Sequence, residues 1–131
     1  MTIDLSTAQP ILNGIILFAH GSRDAQWRLP IEAVAANIQA KSTAVLVRCA
    51  YLELCEPTLP EAATVLLAAG AQKIRVMPLF LGVGKHARED LPVLITQIQK
   101  EHPEAIIELM PAVGENPALI ALMAEIALAP M

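Results

Sequence analysis

The chain reads as a single α/β unit built on a parallel sheet, and three observations carry that expectation. Short apolar, β-branched runs alternate with stretches of helical period along all but the start of the 131 residues. Hydrophobic residues make up 55% but aromatics only 3%, an aliphatic composition suited to strands buried on both faces. Each strand-like run is separated from the next by enough chain for a crossover helix. The expected pattern is βαβαβαβα, a flavodoxin-like, doubly wound four-stranded parallel sheet of order 2-1-3-4. It occupies residues 13–131 behind a flexible polar tail over residues 1–12.

The elements follow in order. Gly14-Ile-Ile-Leu-Phe-Ala19 is a buried first strand, and the first helix is expected over Arg23 to Lys41, where Trp27, Ile31, Val34, Ala35 and Ile38 recur at helical spacing. Thr43 to Leu52 reads as the second strand. Thr58-Leu-Pro-Glu61 fits a capping box with Pro60 in a first turn, and that helix runs to Ala69 before Gly70 stops it. Lys73 to Leu81 is the third strand, within which Pro78 marks a bulge or an early end of ladder pairing. Asp90 is the predicted cap of a third helix with Pro92 in its first turn, ending near His102-Pro103. Ala105 to Met110 is the fourth strand, and Asn116-Pro117 opens the last helix.

Charge and cysteine usage exclude several classes of partner. Net charge is -4 with no basic run, which speaks against nucleic acid. The longest uncharged stretch, Leu5 to Ser22, holds Pro10, Asn13, Gly14 and His20 and does not read as a membrane span. The N-terminus lacks the basic and apolar regions of a signal peptide. Cys49 and Cys55 are too few for a disulfide framework and match no zinc spacing, so they read as two small thiols in a reducing cytoplasm.

In open parallel sheets, ligands bind outside the carboxyl ends of the strands where strand order reverses, here between strands one and three. Strand one ends at Ala19-His20-Gly21-Ser22 and strand three leads into Gly82-Val-Gly-Lys85-His86, so two of the three histidines border that cleft. Paired imidazoles ligate a borderline divalent metal or accept protons near neutral pH. Arg23, Arg28, Lys85 and Arg88 are the cations placed to meet an anionic substrate, with Ser22 beside them. After strand two, Glu53 stands as a third ligand or proton acceptor, while Glu56 beside Pro57 reads as turn chemistry. His102 is assigned nothing. Gly82-Val83-Gly84-Lys85 is not a P-loop, because Leu79 and His86 occupy the positions that need Gly and Ser or Thr, so no nucleotide is expected.

These segments carry a family resemblance. Ala19-His-Gly-Ser-Arg23, Tyr51-Leu-Glu-Leu-Cys-Glu-Pro-Thr58, Met77-Pro-Leu-Phe-Leu81 and Gly84-Lys-His-Ala-Arg-Glu-Asp-Leu-Pro92 resemble, in order, the CbiX-type sirohydrochlorin chelatases. These are class II chelatases of cobalamin and siroheme biosynthesis. The resemblance implies ATP-independent insertion of a divalent metal, cobalt or else nickel or iron, into an anionic, ring-reduced tetrapyrrole with release of two pyrrole protons. It implies His20 and His86 as metal ligands and catalytic residues, Glu53 as a catalytic partner, and Ser22, Arg23, Lys85 and Arg88 as contacts to the tetrapyrrole. It also implies that this chain is a chelatase-like half, whose homodimer completes the cleft. Two alternatives stay open: a non-enzymatic metal- or tetrapyrrole-binding module on the same fold, and a histidine phosphatase, although Ala19 stands where phosphatases carry arginine.

Overall fold

The computed structural model describes residues 12–131, so the expected tail lies, save its last residue, outside the described residues. Four strands form one parallel sheet of order β2-β1-β3-β4, as expected. The strands are β1 (Asn13–Ala19), β2 (Val45–Tyr51), β3 (Lys73–Pro78) and β4 (Ile106–Leu109), and the helices are α1 (Leu29–Lys41), α2 (Leu59–Ala68), α3 (Lys85–Glu101) and α4 (Pro117–Ala127). β1 pairs with both β2 and β3, Ile16 lying between Arg48 and Val76. This central position explains the unbroken apolar run Ile16 to Ala19, which is buried on both faces.

One face of the sheet carries the core. Ile16, Phe18, Ile74 and Val76 are fully buried with Leu59, Ala62, Ala63 and Leu66 of α2 and with Ala87, Leu91 and Ile98 of α3. Burying each large aliphatic side chain stabilises the fold by about 1.5–3 kcal/mol before its entropy cost. Phe18 and Phe80 meet edge to face with ring centroids 6.0 Å apart. On the other face α1 covers β2 and part of β1, and Trp27 lies 6.0 Å from Tyr51 between ring centroids.

Two helix starts differ from expectation. The first helical segment is split: Ala25–Arg28 forms a 3-10 turn capped by Asp24, and α1 begins at Leu29 with Pro30 in its first turn. Proline has no N–H to donate, so a proline-led turn begins a helix more readily than it continues one. The third helix begins at Lys85 and not at Asp90, which leaves Pro92 in the helix interior. His86 is therefore on the first turn of α3, not in a loop. β3 ends at Pro78, opposite Phe18, which resolves that proline as an early end of pairing. The capping box at Thr58 and Glu61, the stop at Gly70 and the start at Asn116-Pro117 all stand where expected.

Candidate active site

The carboxyl edge of β1 and β2 is stitched together by backbone. The Leu52 amide donates to the Ala19 carbonyl at 2.9 Å and the Glu53 amide to the His20 carbonyl at 3.1 Å, extending the β1–β2 pairing past the last ladder residues. The two side chains then meet, with His20 Nε2 3.1 Å from Glu53 Oε1. A carboxylate only accepts, so Nε2 carries the proton and donates it. Both side chains are exposed, leaving the pair open to a ligand from solvent.

Two glycines without room for a side chain set this edge. Gly21 has φ = +106°, and a Cβ there would fall 1.8 Å from the Glu53 carbonyl oxygen. A Cβ on Gly114 would fall 1.8 Å from the Leu81 carbonyl oxygen, and the Gly114 amide donates to the Phe80 carbonyl at 2.9 Å. The 3-10 turn Val113–Glu115 thus braces the connection that leads to His86. The close approach at Gly21 and the part played by Gly114 are not legible in the sequence. Positive φ at Gly21 is compatible with any turn glycine, and Gly114 lies three elements from the segment it braces.

The remaining candidates divide by place. Ser22 is partly buried and its Oγ accepts from the Asp24 amide at 3.0 Å, a turn role, and Asp24 caps the 3-10 turn. Arg23 is exposed beside it. Arg28 is partly buried, with its Nε buried and unpaired among the described residues. Lys85, His86 and Arg88 are exposed on the first turn of α3, whose free N–H groups favour negative charge. Glu56 is exposed next to the cis bond to Pro57 and makes no hydrogen bond to His20, so of the two glutamates Glu53 alone joins the histidine. Among the described residues no three His, Cys, Asp or Glu groups converge closely enough to hold a metal ion. His86, on the first turn of α3, is not hydrogen-bonded to the His20–Glu53 pair. An apolar cavity of about 340 Å³ lies between α3 and β4, bordered by Phe80, Val83, Ala87, Leu91 and Leu109, and His86 does not line it.

The CbiX family profile matches residues 14–128, which takes in all four strands and four helices save Asn13 at the start of β1. The chain belongs to the CbiX family. A curated relative named sirohydrochlorin cobaltochelatase, from Methanococcus aeolicus, is 32% identical over 90 residues, covering 69% of this chain and 63% of its own. A crystal structure of a CbiX protein of cobalamin (vitamin B12) biosynthesis from Marinobacter aquaeolei superposes with a TM-score of 0.76 at 34% identity, over 88% of this chain and 93% of that one. The sirohydrochlorin chelatase SirB from Bacillus subtilis subspecies spizizenii, solved with cobalt, superposes with a TM-score of 0.71 at 28% identity, over 88% of this chain but only 51% of SirB. This CbiX-family chain thus spans less than two thirds of the length of the first curated relatives and about half of SirB. The Methanococcus aeolicus relative and SirB are both named for sirohydrochlorin chelation.

Proposed function

We propose that this protein is a sirohydrochlorin cobaltochelatase, inserting a divalent metal into an anionic tetrapyrrole without ATP, as a homodimer. The observation that carries this reading is the exposed His20–Glu53 pair at the carboxyl edge of the sheet, in a chain of the CbiX family. Its chemistry suits the reaction: insertion displaces two pyrrole protons, and imidazole and carboxylate are side chains that accept protons in general-base catalysis. His20 and His86 are the proposed metal ligands. Two imidazoles leave coordination positions open, as transfer of the metal to the macrocycle requires. Lys85 and Arg88 on the first turn of α3, with Arg23 and Ser22 across the cleft, are the proposed contacts to the peripheral carboxylates.

Cobalt is the proposed metal. Nickel and iron suit the same nitrogen and oxygen donors, and supply in the cell chooses among them as much as affinity does. The cytoplasm is the proposed compartment, in keeping with the unpaired Cys49 and Cys55. The test follows tetrapyrrole absorbance on mixing purified protein, sirohydrochlorin and Co²⁺. His20→Ala and His86→Ala are expected to lower the insertion rate by roughly 100-fold or more, and Glu53→Gln to lower it less. The rate should also fall in acid, where protonated imidazole neither ligates nor accepts. Full activity in both histidine variants sinks the assignment. Tetrapyrrole binding with no acceleration over the spontaneous rate marks a non-enzymatic binding module instead.

A further inference from the structure

Helix α4 is apolar almost all round, with Leu119, Ile120, Leu122, Met123 and Ile126 against a single charge, Glu125. A helix of that composition is ordinarily buried. Here it contributes no buried residue and packs chiefly on the 3-10 turn that precedes it, leaving Ile120 51% and Ile126 66% exposed.

The same chain has a bare surface of matching kind. In a doubly wound sheet of this order the last helix would return over β3 and β4 on the α1 side. Among the described residues the half of that face nearest the start of β3 and β4 stays open. Parallel pairing puts Ile15, Arg75 and Glu108 in one row and Asn13, Lys73 and Ile106 in the next. Ile106 is 60% exposed, and a hollow of about 120 Å³ opens over Ile15, Lys73 and Arg75. Glu108 pairs with Lys73 at 3.1 Å and with Arg75 at 3.2 Å, so this face keeps one net positive charge opposite the one negative charge of α4.

We propose that α4 of one copy docks on the open sheet face over β3 and β4 of a second copy, and reciprocally, so that each chain supplies the layer the other lacks. Apolar fit, charge sign and self-complementarity under a two-fold all favour that occupant. The inference rests on the homodimer part of the reading above but not on its metal chemistry.

Sedimentation of the full chain tests it. The wild type is expected at twice 14.0 kDa. Ile120→Asp with Ile126→Asp should halve that mass while circular dichroism holds, since α4 gives nothing to the core, and the unfolding midpoint should fall to that of the separated chain and lose its dependence on protein concentration. Ile106→Asp, on the sheet face, should also shift the mass toward a single chain. Mixing the two variants should recover a dimer fraction, because one intact helix–sheet junction forms. A monomeric wild type overturns the proposal. So does a helix variant that stays dimeric, or dissociation by the helix variant alone, which would mean that α4 packs on α4. Loss of midpoint without loss of mass overturns it too, by placing α4 over its own sheet or the sheet under residues 1–11. A dimer without chelation fails the chelatase reading and leaves this one standing; an active monomer does the reverse.

Discussion

At Gly21 the positive φ and the Glu53 carbonyl packed against its Cα join two loops that are distant in sequence. Gly21→Ala therefore combines a strained backbone with a main-chain clash that no flexible side chain relieves. It is expected to cost on the order of 3–4 kcal/mol in chemical denaturation, or to drive Glu53 away from His20 and lower the insertion rate in a chain that still folds. An alanine variant with native stability and native activity would contradict this. That a glycine after His20 makes a turn is legible from the sequence. What it is pressed against is not, because the β1–β2 register brings in a residue from the next crossover. The same register selects Glu53 over Glu56: the Glu53 amide bonds the His20 carbonyl, and Glu56 falls beyond the pairing.

Among elements, α2 is the one whose local signals and packing agree throughout. The Thr58 hydroxyl accepts from the Glu61 amide at 3.3 Å, the Glu61 carboxylate accepts from the Thr58 amide at 3.4 Å, and Leu59, Ala62, Ala63 and Leu66 face the core. Thr58→Ala is expected to lower stability by about 1 kcal/mol, read as a shifted denaturation midpoint with unchanged slope; no shift would mean that water caps this helix equally well. Helix α3 shows where local signals fall short. By sequence pattern Pro92 falls in a first turn and Pro30 inside a helix begun at Arg23, and the structure reverses both. At α3, Ala87, Leu91 and Ile98 fall on one buried face, so burial extends the helix back to Lys85 through the proline. The missing N–H of Pro92 frees the carbonyl of exposed Arg88, where water can serve. Lys85, His86 and Arg88 thereby sit on the first turn of α3.

For the molecule as a whole, pH acts on stability from the alkaline side. Burial under α1 and the neighbouring thiols push the Tyr51 hydroxyl from an ordinary 10.0 up to about 12. Burial, with Glu32 nearby, also raises the Cys49 thiol. Both groups hold their protons more tightly folded than unfolded. Their contribution is complete below the unfolded values and is lost as pH rises through the folded ones. Urea titrations should show stability falling between pH 10 and about 12, and Tyr51→Phe should flatten that fall. An equally steep fall in the variant would place its cause elsewhere.

The sequence by itself determined the kind and order of the elements, the strand order, and that His20 follows β1 and His86 follows β3. All of these follow from local periodicity, caps and the rules for parallel crossovers. Only the tertiary structure decided the 3.1 Å contact of His20 with Glu53, the close approaches at Gly21 and Gly114, the start of α3 ahead of Pro92, and the separation of α4 from its own sheet. These depend on register and burial between segments far apart in the chain, where short-range pattern carries no distance.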